Sequence, residues 1–137
     1  MTSFRAVMGI GRRCRLLDER GSTSVQMVLL MPALFAVMFL ALQAALYSYA
    51  TTVAGAAAQD GARAASAYDN RSTPGAGRAA AVAALTQSHG ALEGWAVATQ
   101  EEADSASVTI TGTALSVLPG LKFPVERTAT FPWERLT

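Results

Sequence analysis

Cysteine, histidine and lysine each occur once in this sequence, as Cys14, His89 and Lys122. A single cysteine cannot form a disulfide within the chain, and a single histidine does not supply an ordinary set of zinc ligands. The sequence also lacks a P-loop, a nucleophile elbow and a dinucleotide-binding fingerprint. We therefore predict that the protein is not an enzyme and has no cofactor and no metal site.

Charge is scarce and unevenly distributed. Charged residues make up 15% of the chain and hydrophobic residues 51%, a low charge content for a soluble globular domain. No charged residue lies between Gly21 and Gln59; five basic residues face two acidic ones before this stretch, and six face eight after it. The positive-inside rule then predicts a cytoplasmic N-terminus and an extracytoplasmic C-terminus. The arginine cluster has no interleaved aromatic residues, so we expect no nucleic-acid partner.

The uncharged stretch contains a segment suited to a bilayer. Val25 to Tyr49 is apolar apart from Gln26, Gln43 and Ser48, and roughly 20 apolar residues in a helix span the hydrocarbon core. We predict a cytoplasmic basic leader over residues 1–21 and a transmembrane helix over residues 22–49, in a single-pass protein of the plasma membrane. Pro32 lacks the amide for its helical hydrogen bond and should kink the helix locally without ending it.

A cleaved secretory signal is an alternative interpretation of the same segment. Ala56-Ala57-Ala58 offers small residues of the kind that signal peptidase accepts, although the apolar stretch is longer than a usual signal core. Cleavage after Ala58 would release a small secreted protein that begins at Gln59.

A short motif precedes the apolar segment. Glu19-Arg20-Gly21-Ser22 combines a charged pair, a glycine and a small polar residue directly before the predicted helix. This arrangement resembles the type III prepilin signal, in which a membrane aspartic peptidase cuts after the glycine on the cytoplasmic side. Glycine permits the extended backbone that a protease requires. The resemblance implies processing between Gly21 and Ser22.

Further stretches make the chain similar to the TadE-like family, which are pilin-like accessory proteins of the tight-adherence (Flp) pilus. The resemblance rests on Arg20-Gly21-Ser22 with Pro32, the alanine-rich segment 57–65, the segment 108–112 and the C-terminal segment 118–135. It implies a minor pilin or pilus-assembly component. The implied partners are the lipid bilayer, a prepilin peptidase and other pilin-like and pilus-assembly proteins.

Gln26 departs from the usual pilin pattern. Pilins generally carry glutamate as the fifth residue of the mature chain, and cleavage after Gly21 puts Gln26 at that position. A glutamine can donate and accept hydrogen bonds but brings no charge to pair with a neighbouring N-terminal amine. We therefore expect Gln26 to favour an accessory role in assembly over that of a major filament subunit.

The remaining residues, 50–137, predict a small extracytoplasmic domain, which makes the protein α+β. The first helix should continue to Ala67, with Gly55, Ala58 and Ala62 allowing close approach of another helix. A second helix over 78–88 and antiparallel strands over 95–99, 107–113 and 123–131 should follow. The acidic residues 101–104 lack the pattern of a calcium loop and are predicted to form a turn.

One further class of function fits these features. A signal-anchored extracytoplasmic module that binds cell-envelope components or another protein would also have a basic leader, one membrane helix and a small outer domain. Processing at Gly21 distinguishes the pilus-associated interpretation from this module and from the secreted protein.

Overall fold

The computed structural model describes residues 19–67, 70 and 73–133, with side chains from Val25 onwards. Five elements follow one another, and they confirm the predicted α+β class: α1 (Glu19–Ser66), α2 (Ala76–Gln87), β1 (Leu92–Glu101), β2 (Ser105–Ala114) and β3 (Phe123–Pro132). The chain divides after Met38, and the compact unit that begins at Phe39 contains α2 and the sheet. We call this second unit the sheet unit.

Helix α1 is a single helix of 48 residues that contains Pro32. The expectation that this proline would not end the helix is therefore confirmed, as is the continuation of the helix beyond Tyr49. Alanine and unbranched apolar residues dominate the sequence of α1, and these residues lose little conformational freedom in a helix. The side-chain amide of Asn70 donates to the backbone carbonyl of Ala64 at 3.0 Å, which satisfies a carbonyl in the last turn of α1.

Helix α2 begins two residues earlier than predicted. Gly75 precedes it with φ of 86°, a left-handed conformation that glycine adopts without strain. At the other end, the backbone N–H and hydroxyl of Ser88 both donate to the carbonyl of Leu85, at 3.2 Å and 2.6 Å. The helix therefore ends at Gln87, one residue before the predicted end.

The three strands form an antiparallel sheet in the order β1-β2-β3. β2 is central, and its buried residues Ala106, Val108 and Ile110 alternate with half-buried ones, the period-two pattern on which the strand was predicted. Each observed strand is longer than its predicted segment. Pro124 lies near the start of β3, as expected, and β3 is an edge strand where a missing amide is tolerated.

The core of the sheet unit is built largely from alanine. One face of α1 supplies buried alanines, and the sheet and α2 supply the larger side chains of the same cluster, among them Leu85, Leu92 and Val125. Among the residues that the structure describes, Ile110 and Val108 are the largest side chains with less than 2% exposure. Small residues on α1 allow its backbone to approach the sheet closely, so α1 is an integral part of this core.

Candidate functional site

The first apolar part of α1 is uncovered. Every side chain from Val25 to Leu42 is exposed, and these include the large hydrophobic residues Leu29, Leu34, Phe35 and Leu40. Within the described residues, one helix is long and apolar enough to cross a membrane, and none of its most apolar window is buried. The central helix of a water-soluble domain would be covered by other elements, whereas this segment presents its side chains to the surroundings.

The three residues that the sequence singled out lie at the start of this segment. Gly21 and Ser22 fall within the first turn of α1, where the backbone is helical, and Gln26 follows one turn later with an exposed side chain. The first 18 residues of the predicted basic leader, residues 1–21, lie outside the described residues. Gly21, Ser22 and Gln26 thus lie within the first two turns of one helix, and no tertiary contact is needed to bring them together.

Burial on α1 begins at Gln43, whose side chain is only 5% exposed. Its amide nitrogen donates to the carbonyl of Leu115 at 3.2 Å. Its carbonyl oxygen accepts from the backbone N–H of Val117 at 2.9 Å and from the hydroxyl of Ser116 at 3.4 Å. Sequence analysis treated Gln43 only as a polar interruption of the apolar segment. In the structure, the Gln43 side chain joins α1 to the segment after β2 by hydrogen bonds.

That segment, residues 115–122, is the β2–β3 loop. It contains no acidic residue, and its large apolar side chains are considerably exposed: Leu115 by 38%, Val117 by 39% and Leu121 by 54%. The hydroxyl of Ser116 holds the loop internally, because it donates to the carbonyl of Leu118 at 2.9 Å and accepts from that residue's amide at 3.2 Å. The loop is thus a fixed turn with apolar side chains on its outside.

Beyond Gln43, one side of α1 turns into the core of the sheet unit. Ala50, Ala54, Ala58 and Ala62 are each fully buried, and their spacing of four residues places them on one helical face. Two of the three small residues predicted to allow close packing, Ala58 and Ala62, therefore pack within the chain. The third, Gly55, has open space where a Cβ would stand.

Helices α1 and α2 approach each other closely at a glycine that sequence analysis did not select. A Cβ added to Gly61 would lie 2.8 Å from the carbonyl oxygen of Gly77 and 2.9 Å from the Cβ of Ala81. Gly61, in Gln59-Asp60-Gly61, is the sequence feature that could have indicated this close approach and that sequence analysis missed. It lies three and four residues after the buried Ala58 and Ala57, on the same helical face.

Of the acidic segment 101–104, residues 102–104 form the turn between β1 and β2, as predicted, whereas Glu101 is the last residue of β1 and pairs with Ala106. The backbone N–H of Trp133 donates to the carbonyl of Asp104 at 3.1 Å, and its indole donates to the carbonyl of Glu102 at 2.8 Å. The described residues contain no group of three or more histidine, cysteine, aspartate or glutamate side chains arranged to hold a metal ion. The turn is therefore anchored through its backbone by Trp133.

An open groove of about 430 Å³ lies between α1 and β3. Gly55 and Ala56 line it from the helix, and Arg127, Thr128 and Ala129 line it from the strand. The same two elements also carry Arg63 and Phe131. The guanidinium of Arg63 stands 5.7 Å from the centre of the Phe131 ring, a distance at which a cation and an aromatic ring attract each other.

These features define a class of protein: an exposed apolar N-terminal helix, suited to a membrane, that continues into the core of a small α+β unit. The family model described as TadE-like protein matches residues 21–63, from Gly21 to Arg63. This match confirms the resemblance to the TadE-like family over the membrane helix and its continuation. No curated protein and no solved structure matches the chain.

Proposed function

We propose that this protein is a minor pilin or assembly component of a tight-adherence (Flp) pilus, inserted in the plasma membrane through α1. The observation that carries the proposal is the TadE-like match over residues 21–63, which covers the part of α1 that is exposed and the part that enters the core. A helix of this kind can stay in the bilayer or pack with apolar helices of other pilin-like subunits.

Processing after Gly21 is the step that would prepare the helix for assembly. The basic residues before Gly21 would hold this site at the cytoplasmic surface, and a prepilin peptidase would release a chain that begins at Ser22. Gly21 lies in the first turn of α1, so the peptidase must unwind that turn. Glycine makes this easier, because it is the residue that favours the helical state least apart from proline.

Gln26 supports an accessory role over that of a major subunit. In the processed chain it would stand one helical turn from the new N-terminal amine, on an exposed position of α1. Its amide can form a hydrogen bond with a neighbouring subunit, but it cannot form the ion pair that a carboxylate would form. Lateral association through this position would therefore be weaker than in a glutamate-bearing pilin.

The secreted alternative conflicts with the packing of α1. Ala58 is fully buried, and cleavage after it would remove Ala50, Ala54 and Ala57 from the core. It would also remove Gln43, so the β2–β3 loop would lose its hydrogen-bonding partner. The anchored binding module retains all of these contacts and therefore stays as the second candidate.

Co-expression with a prepilin peptidase separates these candidates. Mass spectrometry of the purified protein should find a mature N-terminus at Ser22, and Gly21→Leu should abolish this cleavage while Ser22→Ala should preserve it. Deletion of the gene should reduce surface pili, with recovery by the wild-type gene and not by the Gly21→Leu gene. An uncut chain with normal piliation would favour the binding module, and a mature N-terminus at Gln59 would establish the secreted protein.

A further inference from the structure

We propose that the β2–β3 loop is a second membrane contact, which rests in the headgroup region of the bilayer that α1 crosses. This inference rests on the membrane insertion in the proposed function and adds a lipid-binding surface on the sheet unit. It also moves the outer boundary of the hydrocarbon core along α1 from Tyr49, where the sequence put it, to the region of Gln43.

The length of the uncovered helix supports this boundary. Val25 to Leu42 comprises 18 residues without a charge and with every side chain exposed, which corresponds to about 27 Å of helix at 1.5 Å per residue. The hydrocarbon core of a bilayer is about 30 Å thick. Val25 to Leu42 is therefore long enough to cross the hydrocarbon core of the bilayer without residues 43–49.

The hydrogen bonds of Gln43 place the loop at this level. The side-chain nitrogen of Gln43 bonds to Leu115, and its side-chain oxygen bonds to Ser116 and Val117. The loop is therefore held beside the end of the exposed segment Val25 to Leu42. Tyr47 and Tyr49 are exposed on the next turns of α1. At about 1.5 Å per residue they stand roughly 6–9 Å beyond Gln43 along the helix, within the interfacial region that tyrosine favours.

The chemistry of the loop fits the interface between lipid tails and headgroups. Leu115, Val117 and Leu121 expose apolar surface. Transfer of this surface from water into the lipid is favourable. Lys122, the one lysine of the chain, is exposed beside them. Its ammonium can reach lipid phosphates while its alkyl part stays among the apolar side chains. The loop itself contains no acidic residue; Glu93 of β1 lines the same cavity as Leu121 and Lys122 and contributes a negative charge there.

Depth-dependent fluorescence quenching tests this contact on the full-length protein. Three variants, each with Cys14 replaced by serine, would carry one fluorophore, at Leu121→Cys in the loop, Val37→Cys in the helix or Ala103→Cys in the β1–β2 turn. Ala103 is the matched control because it is exposed at the opposite end of β2, about 30 Å from the loop at 3.3 Å per strand residue. The proteins would be reconstituted in vesicles of phosphatidylethanolamine and phosphatidylglycerol.

The lipid contact predicts that a quencher attached near the headgroup quenches the label at position 121 several-fold more than the label at position 103. An aqueous quencher should show the reverse order. Equal quenching at both positions would overturn the loop contact, and protection at position 121 from both quenchers would also overturn it and assign the loop to a contact between copies of the protein. Lipid quenching at Val37 reports helix insertion: its loss would overturn the membrane proposal itself, whereas its presence without quenching at 121 would overturn only the loop contact.

Discussion

Gly61 and Gly77 face each other backbone to backbone at the crossing of α1 and α2. A Cβ on Gly61 would lie 2.8 Å from the carbonyl oxygen of Gly77, and a Cβ on Gly77 would lie 2.8 Å from the carbonyl oxygen of Gly61. Neither oxygen can move without a shift of the backbone. This crossing therefore depends on the absence of a side chain at both positions.

The first prediction compares two glycines of α1. Gly61→Ala should lower the free energy of unfolding of the sheet unit, because overpacking costs about 1–3 kcal/mol and exceeds the gain in helix propensity. Gly55→Ala is the matched control and should raise that free energy by roughly 0.5–1 kcal/mol, since glycine is poorer than alanine in a helix and its Cβ meets nothing within 4 Å. Chemical unfolding in detergent, followed by the fluorescence of Trp95 and Trp133, measures both; similar shifts for the two variants would contradict the crossing.

The second prediction concerns Gln43. Gln43→Leu removes the acceptor of the Val117 N–H and the donor to the Leu115 carbonyl, and groups left without partners cost about 1–3 kcal/mol when water cannot reach them. The sheet unit should be destabilised, and hydrogen exchange at the Val117 amide should become faster. Gln59→Leu, at an exposed position of the same helix, serves as the control. Unchanged exchange at Val117 in Gln43→Leu would show that the loop is held by other contacts.

The third prediction addresses lateral association through Gln26. In the processed protein, which has lost Cys14 with the leader, Gln26→Glu should modestly increase crosslinking between copies in membranes, measured with Val28→Cys as the crosslinking site. A carboxylate attracts a neighbouring N-terminal ammonium more strongly than an amide does where the dielectric constant is low, although burial of the charge offsets much of this gain. Crosslinking that stays the same or falls would mean that the glutamine does not limit assembly.

The fourth prediction concerns membrane orientation. A reporter that is active only outside the cytoplasm should be active when fused after Thr137, because five basic residues face two acidic ones before the uncharged stretch, whereas six face eight after it. Replacing Arg12, Arg13 and Arg15 together by glutamate should reduce the reporter signal. Replacing Arg63 and Arg78 by glutamate should leave the orientation unchanged. A cytoplasmic C-terminus in the unmodified protein would reverse the predicted topology.

Much of the fold follows from local patterns in the sequence. The long uncharged run predicted α1, and the alternation around Val108 and Ile110 predicted β2, because helix and strand periodicity are determined within a few neighbouring residues. The strands extend further than predicted because their ends are stabilised by pairing across the sheet. For example, Leu92 at the start of β1 pairs with Ala114 at the end of β2, and neither residue carries a local signal of that partnership.

The role of Gln43 could not be read in the same way. A glutamine in an apolar run looks like a tolerated polar residue. Its partners are the backbone groups of Leu115 and Val117 and the hydroxyl of Ser116, which lie 72 to 74 residues away along the chain. Every residue other than proline carries the same backbone N–H and C=O groups. The identities of the loop residues therefore did not indicate a contact with Gln43. Gly55 was selected in place of Gly61 for a related reason: both are small, and only the direction in which α1 faces the core distinguishes them.

The continuity of α1 has a mechanical consequence. Within the sheet unit, the exposed residues 39–42 and the buried alanines after Gln43 belong to one uninterrupted helix. A force applied to the helix at residues 39–42 is therefore transmitted along the helix backbone to the contacts of Ala50, Ala54 and Ala58 with the core of the sheet unit. Displacement of this end of the helix and disruption of that core are thus mechanically coupled.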